Sequence, residues 1–496
     1  MSHRFLQVRD RASPPFSYIL SLSGPLNISP KWDLKEEILP DGGIFYSAEE
    51  RLKVVVEDPS NGAFVLLYGL SVDLNIDSLD MMQTARLLLA AAVRDDESVF
   101  KYADLIAGRY LVVFRSNNSA TSKIFADACG TMKINYSHER RVVSSNIFLI
   151  SGTEKDYQTD FIDEFVHNRE LWRFGILGNL SPQRGVKSLT PNHCLDLGSF
   201  SVGRFYPRNT IVPRDDYRES VSKVLDLCQR QIRLLDKKYT LLVAITAGVD
   251  SRFSVAITQA SSKNQRYFTF YLNPERHIDP AIGQDIARTL GLEHSILINS
   301  RSREQCGLNI NYSKVVLAKH DPAGLEDVMS WDWYRSLPSA AMSYKSSLVP
   351  SIDTDLPVLH IRSNLYEIGR AFWGARHGTC TDASRVLKLV NPQWQRNFKD
   401  IFDNFFAETQ FNNDAAMGLD LLDLFYWEHR CGTWVSEVIQ TTDFAFNTHS
   451  YINCRAIIEE MLRVKFEDRV KGSLFDEITL KEAPKIRDIP INPSMY

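Results

Sequence analysis

The sequence predicts an α/β protein, with layers of sheet and helix in a first domain and a doubly wound parallel sheet in a second. Three observations predict it. Short strand-like runs separated by turn residues recur through the first part of the chain. An apolar run, Leu241 to Ile245, breaks at small residues where a helical stretch begins. Two more strand-like runs then alternate with helical spacing, giving the order β-α-β-α-β.

In the first domain, residues 1–207, the strand-like runs are Val54–Val56, Phe64–Tyr68, Tyr110–Phe114, Lys133–Tyr136 and Val142–Val143. Asp58-Pro-Ser-Asn-Gly62 and Ser116-Asn-Asn-Ser119 supply turns between them. Between Leu79 and Val93, the residues Met82, Ala85, Leu88, Leu89 and Ala92 make an apolar stripe, which predicts a core-facing helix. The stretch from Tyr206 to Asp216, with Pro207, Pro213 and polar residues, reads as a linker to a second domain over 216–496.

In that second domain Leu241 to Ile245 has the length and composition of a buried strand. Thr246-Ala247-Gly248 allows a tight turn. Asp250 and Ser251 fall where a helix begins, ahead of Phe253, Val255, Ala256 and Ile257. Arg266 to Leu272 is strand-like again. After Asp279, helical spacing runs through Ile282, Ile286, Ala287 and Leu290, and Gly291 sits where a helix stops. Ser295-Ile296-Leu297 starts a third strand. The segment 301–350 carries few periodic signals.

A strand, a small-residue turn and a helix N-terminus together make an anion site. The first N–H groups of a helix lack internal partners, and the helix dipole favours negative charge there. In doubly wound sheets ligands bind at the carboxyl ends of the strands, which is where Thr246–Ser251 lies. The hydroxyls of Thr246 and Ser251 can donate to phosphate oxygens, and the Asp250 carboxylate can hold a magnesium ion bridging them.

Composition narrows the function. The 496 residues predict two or more domains. Apolar content of 44% and charged content of 24% are ordinary for globular proteins. A net charge of −4 leaves no polyanion footprint, so nucleic acid is not an expected partner. No apolar run approaches the roughly 20 residues of a membrane helix, so no membrane insertion is expected. The start, Met1-Ser-His-Arg4, lacks the apolar core of a signal peptide. Seven scattered cysteines without a CxxC pair predict free thiols in a reducing cytoplasm.

Residues 246–251 resemble the Ser-Gly-Gly-x-Asp-Ser pyrophosphate loop of the N-type ATP pyrophosphatases, and of the asparagine synthetase family in particular. Thr246 stands for the first Ser and Ala247 for the first Gly. The order after the loop is similar too: a strand, an Asp opening a helix, then Leu290-Gly-Leu-Glu-His294 before a strand. Gly108–Phe114 with Phe125–Thr131, Val143–Asn146 and Leu189–Asp196 resemble phrases of that family's glutamine amidotransferase-like N-terminal domain. The resemblance implies an Ntn-hydrolase-like α+β sandwich followed by a PP-loop synthetase domain with helical additions. It implies an AMP-forming ligase that uses ATP and Mg²⁺. A substrate carboxylate becomes an acyl-adenylate, pyrophosphate leaves into the loop, and an amine attacks to form an amide. Asp250 would be the main metal ligand, Thr246, Ala247, Gly248 and Ser251 the phosphate cradle, and Arg252 a further phosphate contact.

One departure concerns the nitrogen source. Glutamine-using members carry Cys after the initiator Met, where this chain has Ser2. A serine hydroxyl is a much poorer nucleophile unless a base activates it. The first domain is therefore expected to be a scaffold without glutaminase activity; an N-terminal-serine hydrolase is the alternative. The amine would come from a second substrate or from the same molecule, as in branches resembling β-lactam synthetase and lasso-peptide cyclase. Peptide or natural-product biosynthesis, alongside other biosynthetic enzymes, is the implied setting.

Pro357 to Phe372 occupies the place of the family's Gly-Glu-Gly-Ala-Asp-Glu segment. Glu367 matches the Glu and is the expected second metal or acid/base carboxylate, while Tyr366 stands where Asp is expected. Arg362 and Arg370 offer guanidinium charge to phosphate; a helix face with surface ion pairs is the plainer alternative. Asp443 and Arg455 keep the spacing of an Asp and an Arg that line the family's substrate cleft, though Asp443 also suits a helix N-cap. Lys471, Lys481 and Lys485 compete for the family's C-terminal catalytic lysine, and Lys485 is preferred because it precedes the Pro-rich tail. Two readings stand beside the ligase: asparagine synthesis from free ammonia, and a nucleotide-binding scaffold with dead chemistry. The substrate and the oligomeric state stay open.

Overall fold

The computed structural model describes residues 15–48, 52–117, 119–150, 178–181, 183–271, 278–299, 315–318, 344–389, 392–443 and 445–493. Ser2, Cys306 and most of 301–350 lie outside them.

The first domain is built on twelve strands: β1 (Tyr18–Ser21), β2 (Lys35–Ile38), β3 (Ile44–Ser47), β4 (Lys53–Asp58), β5 (Ala63–Asp73), β6 (Ile106–Arg115), β7 (Lys123–Ala126), β8 (Asn135–Ser137), β9 (Val142–Ser144), β10 (Lys187–Ser188), β11 (His193–Asp196) and β12 (Val202–Arg204). They form two antiparallel six-stranded sheets, ordered β10-β8-β9-β1-β3-β2 and β12-β11-β7-β6-β5-β4. The period-2 alternation of side chains explains the layering. On β5, Phe64, Leu66 and Tyr68 join Tyr18, Phe45 and Val143 of the facing sheet in one core. Val65 and Leu67 point the other way, into a core shared with Ala85, Leu88 and Ala92 of helix α1 (Met81–Ala92). Both faces of this strand are covered, so it is apolar without a break from Ala63 to Tyr68 rather than alternating.

Helix α1 sits where the stripe predicts, turned slightly. Its buried face is Thr84, Ala85, Leu88, Ala91 and Ala92, while Met82 remains 40% exposed. A second helix, α2 (Asp96–Ala103), buries Val99, Phe100 and Ala103. Its start is set by Asp95, whose side chain accepts from the Ser98 amide at 2.6 Å.

The second domain holds a six-stranded sheet in which every pairing is parallel. Its strands are β13 (Thr240–Ala244), β14 (Gln265–Tyr271), β15 (His294–Asn299), β16 (Val315–Ala318), β17 (Val358–Ile361) and β18 (Asn447–His449), in the order β16-β15-β14-β13-β17-β18. The chain works outward from β13 on one side, then returns to add β17 and β18 on the other. Helices α3 (Arg218–Leu235), α4 (Val249–Ser261) and α5 (Ile278–Leu290) accompany the first three strands. Gly283 lets α5 approach the sheet, since a Cβ there would lie 2.5 Å from Thr269 Oγ1. The direction of winding reverses between β13 and β17. That reversal is the crevice where open α/β sheets bind ligands.

The two domains share one continuous core. The linker is packed rather than loose: Tyr206 and Ile211 are buried, and the Tyr206 hydroxyl donates to Glu459 at 2.7 Å. A continuous helical stretch, Leu421–Thr442, crosses behind the junction and is wound as π-helix over Tyr426–Val435. Its Trp427 Nε1 donates to the Ala128 carbonyl at 2.8 Å, and its Glu428 pairs with Arg204. Among the described residues no helix is long and apolar enough to cross a membrane, and all six described cysteines are buried free thiols.

Candidate functional site

Residues 246–248 leave the end of β13 and enter α4 at the reversal point. Local hydrogen bonds fix the bend. The Thr246 amide donates to Ser251 Oγ at 3.1 Å, the two hydroxyl oxygens stand 2.9 Å apart, and Ser251 Oγ donates to the Thr246 carbonyl at 3.0 Å. Ala247 is 1% exposed and its methyl belongs to the core, so it does not crowd the open face of the bend. Its amide donates to Asp279 Oδ1 at 2.8 Å. Gly248 is extended (φ −82°, ψ 160°), and a Cβ there would meet nothing nearer than 3.6 Å. Glycine at 248 leaves room; the backbone does not require it.

β17 lies beside β13 and delivers the second half of the crevice through the 3₁₀ turn Tyr366–Arg370. Ser254 of α4 ties the halves together, its hydroxyl meeting Ser363 Oγ at 2.9 Å and the Tyr366 hydroxyl at 2.8 Å. Three charged groups converge here. Arg370 Nη2 donates to Asp250 Oδ2 at 2.6 Å. Burial pushes the Asp250 carboxyl up, against the pull of Arg370. Burial first, and then the Asp250 charge, push Glu367 up to about 8. Asp250 Oδ1 and Glu367 Oε2 are both buried without a hydrogen-bond partner.

That raised pKa has a measurable consequence. Glu367 binds its proton more tightly folded than unfolded, so stability falls as pH rises from about 4.5 through about 8. Glu367→Gln is expected to flatten this slope, with melting temperatures matching wild type at pH 4 and exceeding it at pH 9. Thermal melts of both proteins across that range check it.

Several expected site residues stand elsewhere or are otherwise engaged. Arg252 is 3% exposed and donates through Nη1 to the Ile489 carbonyl at 2.7 Å and through Nη2 to the Pro490 carbonyl, so its guanidinium is held by the C-terminal tail. Tyr366 is fully buried, packed on Phe253 at 5.3 Å and on Phe475. It is core, because an aromatic ring stands where a carboxylate was expected. Arg362 Nε donates to Asn364 Oδ1 at 2.6 Å, and burial lowers its pKa. Asp443 neither lines a cleft nor caps a helix start: it follows the last turn of Ser436–Thr442 and forks onto Arg109 of β6, with Nη2–Oδ2 at 2.8 Å. Arg455 reaches Asn192, Ala126 and Asp127 of the first domain and stacks over Phe205 at 4.7 Å. Asp443 and Arg455 thus join the domains. Lys485 is exposed on the short turn Pro484–Ile486, without a hydrogen bond or ion pair among the described residues.

Asp279 and the tail residues Ile489, Pro490 and Asn492 belong to the site without having been expected there from sequence. Asp279 was visible as the residue opening α5; the tail gave no signal, because its contacts run through the backbone. No family model matches the chain, and no curated protein matches it.

The residues fit a magnesium ion accompanied by phosphate. Among the described residues no cluster of three or more His, Cys, Asp or Glu stands ready to hold a metal alone. Magnesium, however, characteristically takes one or two carboxylates, with phosphate oxygens and water completing its shell. The partnerless oxygens of Asp250 and Glu367 and the space above Gly248 suit that arrangement.

Proposed function

We propose that the chain is an ATP-dependent carbon–nitrogen ligase of the asparagine synthetase-like kind, which adenylates a carboxylate, releases AMP and pyrophosphate, and joins the acyl group to an amine whose source is not glutamine. The observation that carries this reading is the meeting of Asp250 and Glu367, from the helical turns that follow adjacent parallel strands, at the winding reversal beside an open strand–turn–helix bend. Carboxylates with no shared task are seldom buried, each with one oxygen left without a partner, and set against each other's charge at the ligand crevice of such a sheet.

In this reading the hydroxyls of Thr246 and Ser251 and the start of α4 hold the β and γ phosphates. Asp250 and Glu367 would hold Mg²⁺, which would supply positive charge against the phosphates. Arg370 balances Asp250 before the nucleotide enters and contacts a phosphate oxygen afterwards. Such fixed charges, together with the positioning of the amine, supply most of the rate enhancement. The face-to-face sheets of the first domain suit a degenerate amidotransferase-like scaffold. Incubating the Met-processed protein with glutamine is expected to release no glutamate above background; clear release would restore Ser2 as a nucleophile.

A second reading draws on one contact. Arg370 already neutralises Asp250, which favours a nucleotide-binding scaffold without turnover. Incubation with Mg·ATP and a panel of carboxylic acids, including peptides with a free amine, separates the two. AMP with pyrophosphate supports the ligase, ATP binding without cleavage supports the scaffold, and ADP excludes adenylation.

A further inference from the structure

Residues 489–492 lie across the bend, tied down by three contacts. Arg252, a buried side chain on α4, donates to the carbonyls of both Ile489 and Pro490. The Asn492 amide then donates to the Ala247 carbonyl at 3.1 Å. Asn492 adopts a left-handed backbone (φ +43°), which costs little for Asn and turns the tail across the loop. Its side-chain amide comes to rest beside Gly248: the two amide atoms lie 3.8 and 4.0 Å from where a Cβ on that glycine would stand. Asn492 itself is exposed, so its amide is open to a ligand in the same space.

The arrangement answers a deficit in the bend. A phosphate loop works through outward-facing donors. The Ala247 amide is withdrawn from that role by Asp279, and the Gly248 amide leans toward Thr246 Oγ1 at 3.4 Å. A side-chain amide held over the same bend restores a donor.

We propose that the strap Ile489–Asn492 is the outer wall of the phosphate pocket, with the Asn492 side chain donating a hydrogen bond to pyrophosphate and Arg252 acting as the positioning residue that holds the strap. This rests on the nucleotide reading of the loop. It gives a role to a buried arginine whose guanidinium donates to the tail.

Calorimetric titration of the full chain with inorganic pyrophosphate and with ATP, each with Mg²⁺, tests it. Asn492→Asp keeps size and backbone contacts but sets a negative charge against the phosphate; a loss of pyrophosphate affinity of tenfold or more is expected. Asn492→Gly keeps the left-handed backbone and the N–H to Ala247 but removes the amide; a several-fold loss is expected. A chain ending at Asp488 should lose at least as much as Asn492→Gly. Unchanged affinity in all three, or tighter binding in the shortened chain, overturns the proposal and leaves the nucleotide reading standing. A wild-type chain that binds neither pyrophosphate nor ATP overturns both.

Discussion

Replacing Asp443 with Ala is expected to lower the stability of the folded protein by about 3–5 kcal/mol, the usual cost of removing one partner from a buried ion pair. Both side chains are almost wholly withdrawn from water, at 3% for Arg109 and 2% for Asp443. Burial works against the Arg109 charge, and the forked contact with Asp443 outweighs it, holding the guanidinium above its ordinary value. With Asp443 gone, Arg109 keeps the Thr131 carbonyl at 3.0 Å, the face of Phe16 at 5.8 Å and the field of the Asp127 carboxylate, to which it is not hydrogen-bonded, so no direct ion-pair partner is left. Denaturant unfolding of wild type and variant measures the loss. The double variant Arg109→Leu with Asp443→Leu removes both charges and is expected to recover most of it, since apolar pairs often replace buried ion pairs without penalty. A substrate-cleft aspartate would behave in the opposite way, with intact stability and lost turnover.

Why the sequence points Asp443 and Arg455 toward a cleft is physically plain. Their spacing along the chain is legible, and so is the charge. What is missing is Arg109, more than three hundred positions earlier. A charge that looks free along the sequence is often answered by a residue from another domain, and no local pattern announces it. By contrast, the bend 246–251 and the sheet around it are legible because they depend on local rules. A short apolar run, small residues and a helix start each follow from nearby chemistry, and the parallel order follows from strands alternating with helices. Strand β5 shows in the sequence only as Phe64–Tyr68, because Gly69 and the polar Ser71 and Asp73 interrupt a run that continues to Asp73 once both faces are covered. Helix α2 is harder to see because its apolar face is only Val99, Phe100 and Ala103, in a helix of eight residues. The expectation for Arg252 fails for a related reason. A guanidinium beside a phosphate loop is a fair phosphate ligand until the chain's own tail offers two carbonyls to the same donors.

The second large effect is expected at Asp250. Asp250→Asn keeps the shape of the side chain and removes its charge, and pyrophosphate release from Mg·ATP with a competent acid is expected to fall by about 100-fold or more, the scale seen when one preorganised charge is taken from an active site. In free-energy terms that is roughly 2.7 kcal/mol at the transition state. Arg370 makes the experiment more informative. Its Nη2 donates to Asp250 Oδ2, which leaves Oδ1 to a ligand, and its Nε is buried without a partner. If Arg370 serves the phosphates, Arg370→Ala also weakens ATP binding, because the guanidinium is then a ligand of the nucleotide. If instead it only quenches Asp250, as a scaffold without turnover would have it, Arg370→Ala leaves an uncompensated carboxylate that binds Mg²⁺ more tightly, and metal affinity rises while no AMP forms. Measuring Mg²⁺ affinity and AMP production in the two single variants and the double variant therefore separates an arginine that works on the substrate from one that silences the site. The double variant matters because the two side chains touch, so their effects are not expected to add. A ligase gives a double variant no worse than Asp250→Asn, since the arginine has lost the metal-bound phosphate it would serve.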